Sequence, residues 1–134
     1  MSTKSFNISL DNKISAFRKT INVDSDKSIS IRSFIIGSIC QNVSIVKNVL
    51  ESMDVKSAIE SCRKLGVRIQ RIKPKSYKIY GKGLGSLSVN KNVELNFGNS
   101  GTLARLLIGV LSSTPNINIR LKGDHSLNKR SMKK

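Results

Sequence analysis

The sequence predicts an α/β (α+β) fold in which strands and helices alternate along the chain, and three observations carry that prediction. Val55, Ala58, Ile59, Cys62 and Leu65 recur at helical spacing, with Gly66 behind them as a left-handed stop. Val93, Leu95 and Phe97 alternate as the buried face of a strand does. The strand-then-helix pattern also echoes itself at an offset of 72 positions: Ser28 meets Ser100, Ser30 meets Thr102, and Ile35-Ile36-Gly37 meets Leu107-Ile108-Gly109. Val23 likewise meets Leu95 and Ile45 meets Ile117, strand on strand, which describes a module used twice.

Taken in order, Phe17 to Val23 reads as a strand that enters a polar turn at Asp24, Ser25 and Asp26. Ser28 opens a helix whose apolar positions are Ile31, Phe34, Ile35 and Ile39, ending near Gln41 and Asn42. Val43 to Lys47 is a second strand, and Asp54 is placed to cap the helix that carries Val55 to Leu65. Val67 to Ile72 and Tyr77 to Tyr80 are two more strands, and Gly81, Gly83 and Gly85 mark turns after them. Beyond the strand through Val93 and Phe97, the loop Gly98-Asn99-Ser100-Gly101-Thr102 enters a helix with the apolar run Leu103, Leu106, Leu107, Val110 and Leu111. That helix stops before Pro115, and Ile117, Ile119 and Leu121 alternate as a further strand.

Composition bounds what such a chain does. Its 134 residues fit one ordinary domain, and 38% hydrophobic content supplies a modest core built on Ile, Leu and Val, because aromatics make up only 4% and Trp is absent. The longest apolar stretches, Phe34 to Ile36 and Leu106 to Leu111, are far too short to cross a membrane, and the first residues lack the apolar centre of a signal peptide. A soluble cytoplasmic protein is therefore expected, with no membrane partner. Cys40 and Cys62 sit in apolar helical patterns without a second Cys or His at ligand spacing, so they read as reduced packing residues, and no metal is expected.

A formal charge of +16 leaves open nucleic-acid binding, a site for highly anionic small substrates, or a compositional bias that merely solvates the surface. Along the chain the cations show no single stripe, and aromatics for stacking on bases are few, so nucleic acid is not the expected partner. The basic residues that matter have to be selected by position. Two polar loops with small residues each follow a strand and open a helix, where free backbone N–H groups and the helix dipole favour an anion. The first adds Lys27 and Ser28, with Arg32 one turn on and on the same face as Ser28. A lysine acts there as a point charge, whereas an arginine grips a carboxylate or phosphate with two parallel hydrogen bonds. Read from spacing alone, Ser28 serves equally well as a plain helix cap and the two cations as surface charges. The second loop, Gly98 to Thr102, lets the backbone approach a ligand closely, and it matches neither a Walker loop nor the dinucleotide fingerprint.

Asp26-Lys27-Ser28-Ile29-Ser30-Ile31-Arg32 resembles the Lys-Ser-x-Ser-x-Arg signature of the enolpyruvylshikimate-phosphate synthases, members of the enolpyruvyl transferase family. Gly98-Asn99-Ser100-Gly101-Thr102-Leu103-Ala104-Arg105 is similar to their Gly-Asn-Ala/Ser-Gly-Thr-x-x-Arg signature. Leu50 to Asp54 with Leu65-Gly66-Val67, and Gly123-Asp124 through Lys129-Arg130, resemble two further elements of that family, in the same order. The resemblance covers about Phe17 to Met132, against roughly the first third of the family's length. A sister enzyme acting on a UDP-N-acetylglucosamine nucleotide sugar shares the fold, and Ser28, Ser30 and Arg32 count against it, because there the lysine is usually followed by Asn.

The resemblance implies a partial domain built from strand-helix-strand-helix-strand-strand repeats, with about one and a half units present. Residues 1–16 would be a segment that packs on the family's second domain, and 17–134 an incomplete first domain. It implies transfer of an enolpyruvyl group from phosphoenolpyruvate to shikimate 3-phosphate with release of phosphate, without a cofactor. Carried over by motif, Lys27 touches both substrates, and Ser28 and Arg32 hold shikimate 3-phosphate. Asn99, Gly101 and Thr102 pack beside phosphoenolpyruvate, and Arg130 binds its carboxylate or phosphate. None of the eight carboxylates falls in a catalytic motif of the family, so no catalytic acid or base is expected in this chain, and the isolated polypeptide is expected to lack activity. The resemblance further implies a monomer at full length, and a complementary C-terminal fragment as the partner this shorter chain would need. The chain departs from the family at Asp24-Ser25, which stand for Pro-Gly, and at Ile31, Met53 and Ser131; a carboxylate at Asp24, so near the lysine, would weaken anion binding.

Overall fold

The structure, a computed structural model, describes residue 9, residues 23–89 and residues 93–131. Its elements run α1 (Lys27–Ile39), β1 (Val43–Lys47), α2 (Met53–Lys64), β2 (Arg68–Lys73), β3 (Ser76–Tyr80), β4 (Glu94–Asn96), α3 (Gly101–Ser112), β5 (Arg120–Lys122) and α4 (His125–Asn128). The alternation read from the sequence is present, in a mixed helix-and-sheet fold. The strand expected over 17–23 and the segment 1–16 lie outside the described residues, apart from Ser9 and an exposed Val23.

α1 begins one residue earlier than expected, because Asp26 and not Ser28 is its cap: the Asp26 carboxylate accepts the Ile29 N–H at 2.6 Å. Ser28 is the second residue of the first turn. Asp26→Ala is expected to cost about 1 kcal/mol in a urea melt, with Asp26→Asn retaining most of that, since either side chain can accept the bond. α1 buries Ile31, Phe34 and Ile35 together with small residues at Ser30, Gly37 and Ser38. The small residues allow close approach. A Cβ on Gly37 would lie 2.8 Å from Ile79 Cδ1 on β3. The buried Ser30 hydroxyl donates to the Asp26 carbonyl at 2.8 Å and accepts the Leu50 N–H at 3.0 Å, which fastens the segment before α2 to the start of α1.

α2 buries the expected face, Val55, Ala58, Ile59 and Cys62, with Leu65 just beyond it. Its N-cap is Ser52, not Asp54; Asp54 sits in the first turn, where its charge suits the helix dipole and its side chain remains available to another element. At the other end Gly66 takes φ +83, its N–H donates to the Arg63 carbonyl, and the Val67 N–H donates to that of Cys62, the paired closure that a left-handed glycine permits. Both cysteines are free, and burial pushes the Cys62 thiol up to about 11, as befits a packing residue.

β1, β3 and β2 form an antiparallel sheet in that order, with a bulge between Arg71 and Lys73. Tyr77, Ile79 and Ile69 turn inward to the core, where Phe34 of α1 meets the Tyr77 ring edge-on at 5.3 Å. The Tyr77 hydroxyl donates to Glu51 at 2.6 Å, and Arg71 pairs with the same carboxylate at 2.9 Å. The Tyr77 hydroxyl is the main cause holding Glu51 below its ordinary 4.5; burial opposes it and the Arg71 charge adds to it. A folded-state value below the unfolded one stabilises the protein above about pH 4.5, and that contribution is lost as the pH falls through the lowered value. Glu51→Gln should therefore lower stability at neutral pH and flatten the acid limb of a pH-dependent melting series.

β4 and β5 form a second, parallel pair of three residues each, bridged by α3. The expected strand through Ile117, Ile119 and Leu121 is shorter than its alternation suggests. Asn116 takes a positive φ of 55 in the turn after Pro115, and among the described residues pairing starts where the Arg120 N–H reaches the Val93 carbonyl. Ile117 thus lies outside any strand, and the echo of Ile45 in Ile117 does not place strand on strand. α4 has no counterpart in the expected elements. Among the described elements α1 packs against α2, α3 and strands β1 and β3 of the three-stranded sheet. No helix among the described residues is long and apolar enough to cross a membrane.

Candidate functional site

The starts of α1 and α3 open on one cleft of about 520 Å³, lined by Lys27, Asp54, Asn99, Gly101, Thr102, Arg105 and Arg130. Each comes from a different local device. Lys27 is the first residue of α1, held there by the Asp26 cap. Ser100 caps α3, its side chain accepting the Leu103 N–H at 3.3 Å, so Gly101 and Thr102 become the first two residues of that helix. Gly98 makes the turn before it at φ +55, a conformation that glycine adopts without strain.

Arg130 is delivered by a short return segment. The Asp124 N–H donates to the Gly98 carbonyl at 2.9 Å, and Asp124 caps α4 by accepting the Leu127 N–H at 2.7 Å. Gly123 is needed there, since a Cβ would lie 2.8 Å from Leu127 Cβ. The Arg130 N–H then donates to the Leu127 carbonyl, and its guanidinium donates to Asn99 Oδ1 at 2.6 Å. The second loop and the Gly123 to Arg130 element are therefore one structure.

The cleft is strongly polar and carries three cations, Lys27, Arg105 and Arg130, against one carboxylate. Lys27 Nζ lies 2.9 Å from Asp54 Oδ2, with both side chains partly exposed. Arg105 has no carboxylate partner among the described residues. In the first turns, the N–H groups of Lys27, Ser28 and Thr102 have no acceptor among the described residues. Two helix starts, free N–H donors and surplus positive charge make an arrangement suited to a ligand with more than one anionic group. Among the described residues no group of His, Cys, Asp and Glu could hold a metal ion.

Five of the seven residues selected from the sequence, Lys27, Asn99, Gly101, Thr102 and Arg130, line this cleft; Ser28 and Arg32 do not. Ser28 is half-buried in the first turn of α1, and Arg32 stands exposed one turn further along. Asp54 and Arg105 are additional lining residues. Arg105 was legible as the last residue of the second motif, three positions after Thr102 and so on the same helix face. Asp54 faces Lys27 only because α2 packs against α1, and no local pattern announces that. Asp24 does not turn on Lys27: it lies 3.1 Å from Lys75 Nζ, and the Ser25 N–H, then Lys75, hold its carboxyl below the ordinary value. Ile31 is fully buried in the core and Met53 is exposed at the start of α2, so neither departure enters the cleft.

A family model described as EPSP synthase (3-phosphoshikimate 1-carboxyvinyltransferase) matches residues 12–134. Among similar proteins, a 3-phosphoshikimate 1-carboxyvinyltransferase of Syntrophomonas wolfei is 38% identical over 125 residues, covering 93% of this chain and 28% of the relative. One from Magnetococcus marinus is 45% identical over 113 residues, covering 84% of this chain and 25% of the relative. The solved structure of EPSP synthase from Acinetobacter baumannii superposes with a TM-score of 0.75 at 37% identity, over 87% of this chain and 26% of that one. The chain belongs to the EPSP synthase family, and it spans about a quarter of the length of the relatives it matches.

Proposed function

We propose that this member of the EPSP synthase family carries the anion-binding portion of a 3-phosphoshikimate 1-carboxyvinyltransferase, with shikimate 3-phosphate and phosphoenolpyruvate as its ligands. The observation that carries the reading is the meeting of Lys27 with Asn99, Gly101, Thr102 and Arg130 around one cleft at two helix starts. Lys27 exchanges its contact with Asp54 for a ligand oxyanion. Ser28 and Arg32, just outside the cleft on α1, take the phosphate of shikimate 3-phosphate. Arg130 leaves Asn99 to grip the carboxylate or phosphate of phosphoenolpyruvate with two hydrogen bonds.

In the reaction so proposed, the sugar-acid hydroxyl oxygen gives its proton to a base and bonds to the carbon bearing the phosphate while the methylene carbon gains a proton; the methyl group so formed then gives up a proton as phosphate leaves, returning the enol ether. That sequence needs an acid at the methylene carbon and a base at the hydroxyl. The cleft's one carboxylate, Asp54, is ion-paired to Lys27. These residues therefore bind and orient, and a polypeptide of these 134 residues alone binds without turnover. Residues 17–134 make an incomplete first domain, the first 16 residues belong with the second, and acid-base groups come from a complementary portion, the assembled enzyme working as a cytoplasmic monomer.

Calorimetric titration of the 134-residue chain with shikimate 3-phosphate, paired with an assay for phosphate release from phosphoenolpyruvate, tests this. Saturable heat with shikimate 3-phosphate, none with UDP-N-acetylglucosamine, and no phosphate release are expected. Absence of binding removes the site, and phosphate release that depends on shikimate 3-phosphate removes the division of labour.

A further inference from the structure

The cations that lack a stripe in the sequence are gathered into one by the three-stranded sheet. Tyr77 and Ile79 of β3 face the core, so Ser76, Lys78 and Tyr80 lie on the opposite face. The register sets beside them Lys47, Ile45 and Val43 of β1, and Lys73, Gln70 and Arg68 of β2. This outer face thus holds four cations, Lys47, Arg68, Lys73 and Lys78, and no carboxylate.

None of the four takes part in an ion pair among the described residues, and the acidic residues described are all engaged elsewhere. Asp24 pairs with Lys75, Glu51 with Arg71, Asp54 with Lys27, Glu60 with Arg63, and Glu94 with Lys122. Asp26 and Asp124 cap α1 and α4. Four like charges on one small sheet repel one another, and among the described residues no carboxylate compensates them, so the face favours an anionic partner. Between them stand flat and apolar groups. The Arg68 guanidinium lies 4.7 Å from the Tyr80 ring centre and Lys78 Nζ 5.3 Å from it, beside the exposed side chains of Val43 and Ile45.

We propose that this sheet face binds single-stranded nucleic acid. The four cations match a run of phosphates, while the guanidinium plane of Arg68, propped over the half-buried Tyr80 ring, offers a stacking surface to unpaired bases, a combination that tolerates sequence and requires bases free of a duplex. The surface is separate from the cleft, none of whose lining residues it shares, and its assignment does not depend on the enolpyruvyl chemistry.

Fluorescence anisotropy of the full chain with a labelled 12-nucleotide oligo(U), over a series of salt concentrations, tests the assignment. Four phosphate contacts predict a log–log salt slope of about −2.8 for a single strand. Arg68→Glu/Lys78→Glu should weaken binding at least tenfold and reduce that slope by about half, whereas Lys56→Glu/Lys129→Glu, an equal charge change away from the sheet, should weaken it much less. Tyr80→Ala should weaken binding severalfold and Tyr80→Phe should not. Circular dichroism checks that each variant folds, and Lys47→Glu/Lys73→Glu replaces the first pair if it does not. The proposal is overturned by equal losses in both charge-reversal pairs, by a Tyr80→Ala chain that binds as the parent does, or by a duplex that competes as well as the single strand. Association of the parent chain with phosphatidylserine vesicles but not with the oligonucleotide overturns it too.

Discussion

Phe34→Ala is expected to lower the free energy of unfolding by about 3–5 kcal/mol. Phe34 is wholly buried at the centre of α1 and meets Tyr77 edge-on at 5.3 Å. Tyr77, the aromatic beside it, is tied to Glu51 at 2.6 Å, which keeps it from swinging in to refill the space. The Cys62 thiol approaches the Phe34 carbonyl at 4.0 Å, so α2 also loses packing against this stretch when α1 relaxes. A domain of this size commonly has a total stability of about 5–15 kcal/mol, so the loss would leave the chain marginal. Urea denaturation followed by circular dichroism measures it, with Phe34→Leu as the milder control. A loss within about 1 kcal/mol would mean that α1 is not central to the core.

Lys27→Ala should show the opposite profile, a large effect on binding and a small one on stability. The pair it forms with Asp54 is partly exposed at 2.9 Å, and such pairs contribute at most about 1 kcal/mol to folding. A hydrogen bond to a charged ligand group is worth about 1.5–3 kcal/mol, so the affinity for shikimate 3-phosphate should fall roughly tenfold to a hundredfold. Lys27→Arg should retain charge but misplace it, and so recover only part of the affinity. If the affinity is unchanged while the melt shifts, Lys27 is a structural residue and the cleft is not the binding site.

Most of the fold was legible because it rests on local patterns. The face of α2, its stop at Gly66 and the bounds of β1 follow from spacing and from one glycine's freedom. What was not legible depends on competition between neighbours or on distant contacts. Asp26 and Ser28 both suit a cap, and only the geometry of the first turn selects Asp26. Ile117 and Ile119 alternate like a strand, but among the described residues pairing begins only where Arg120 reaches Val93. In the cleft, the motifs identified Lys27, Asn99, Gly101, Thr102 and Arg130, while Asp54 joins them through helix packing that no window of sequence contains. The basic sheet face is the same case: Lys47, Arg68, Lys73 and Lys78 are scattered along the chain and become neighbours only through strand register.

If the starts of α1 and α3 form a single anion site, the amides at both respond to one ligand together. Nuclear magnetic resonance of the ¹⁵N-labelled chain, titrated with shikimate 3-phosphate, addresses it residue by residue. The backbone amides of Lys27 and Ser28 should shift together with those of Gly101 and Thr102, along curves fitted by one dissociation constant. Shifts spread over exposed lysines, or confined to one helix start with the other unmoved, would contradict it.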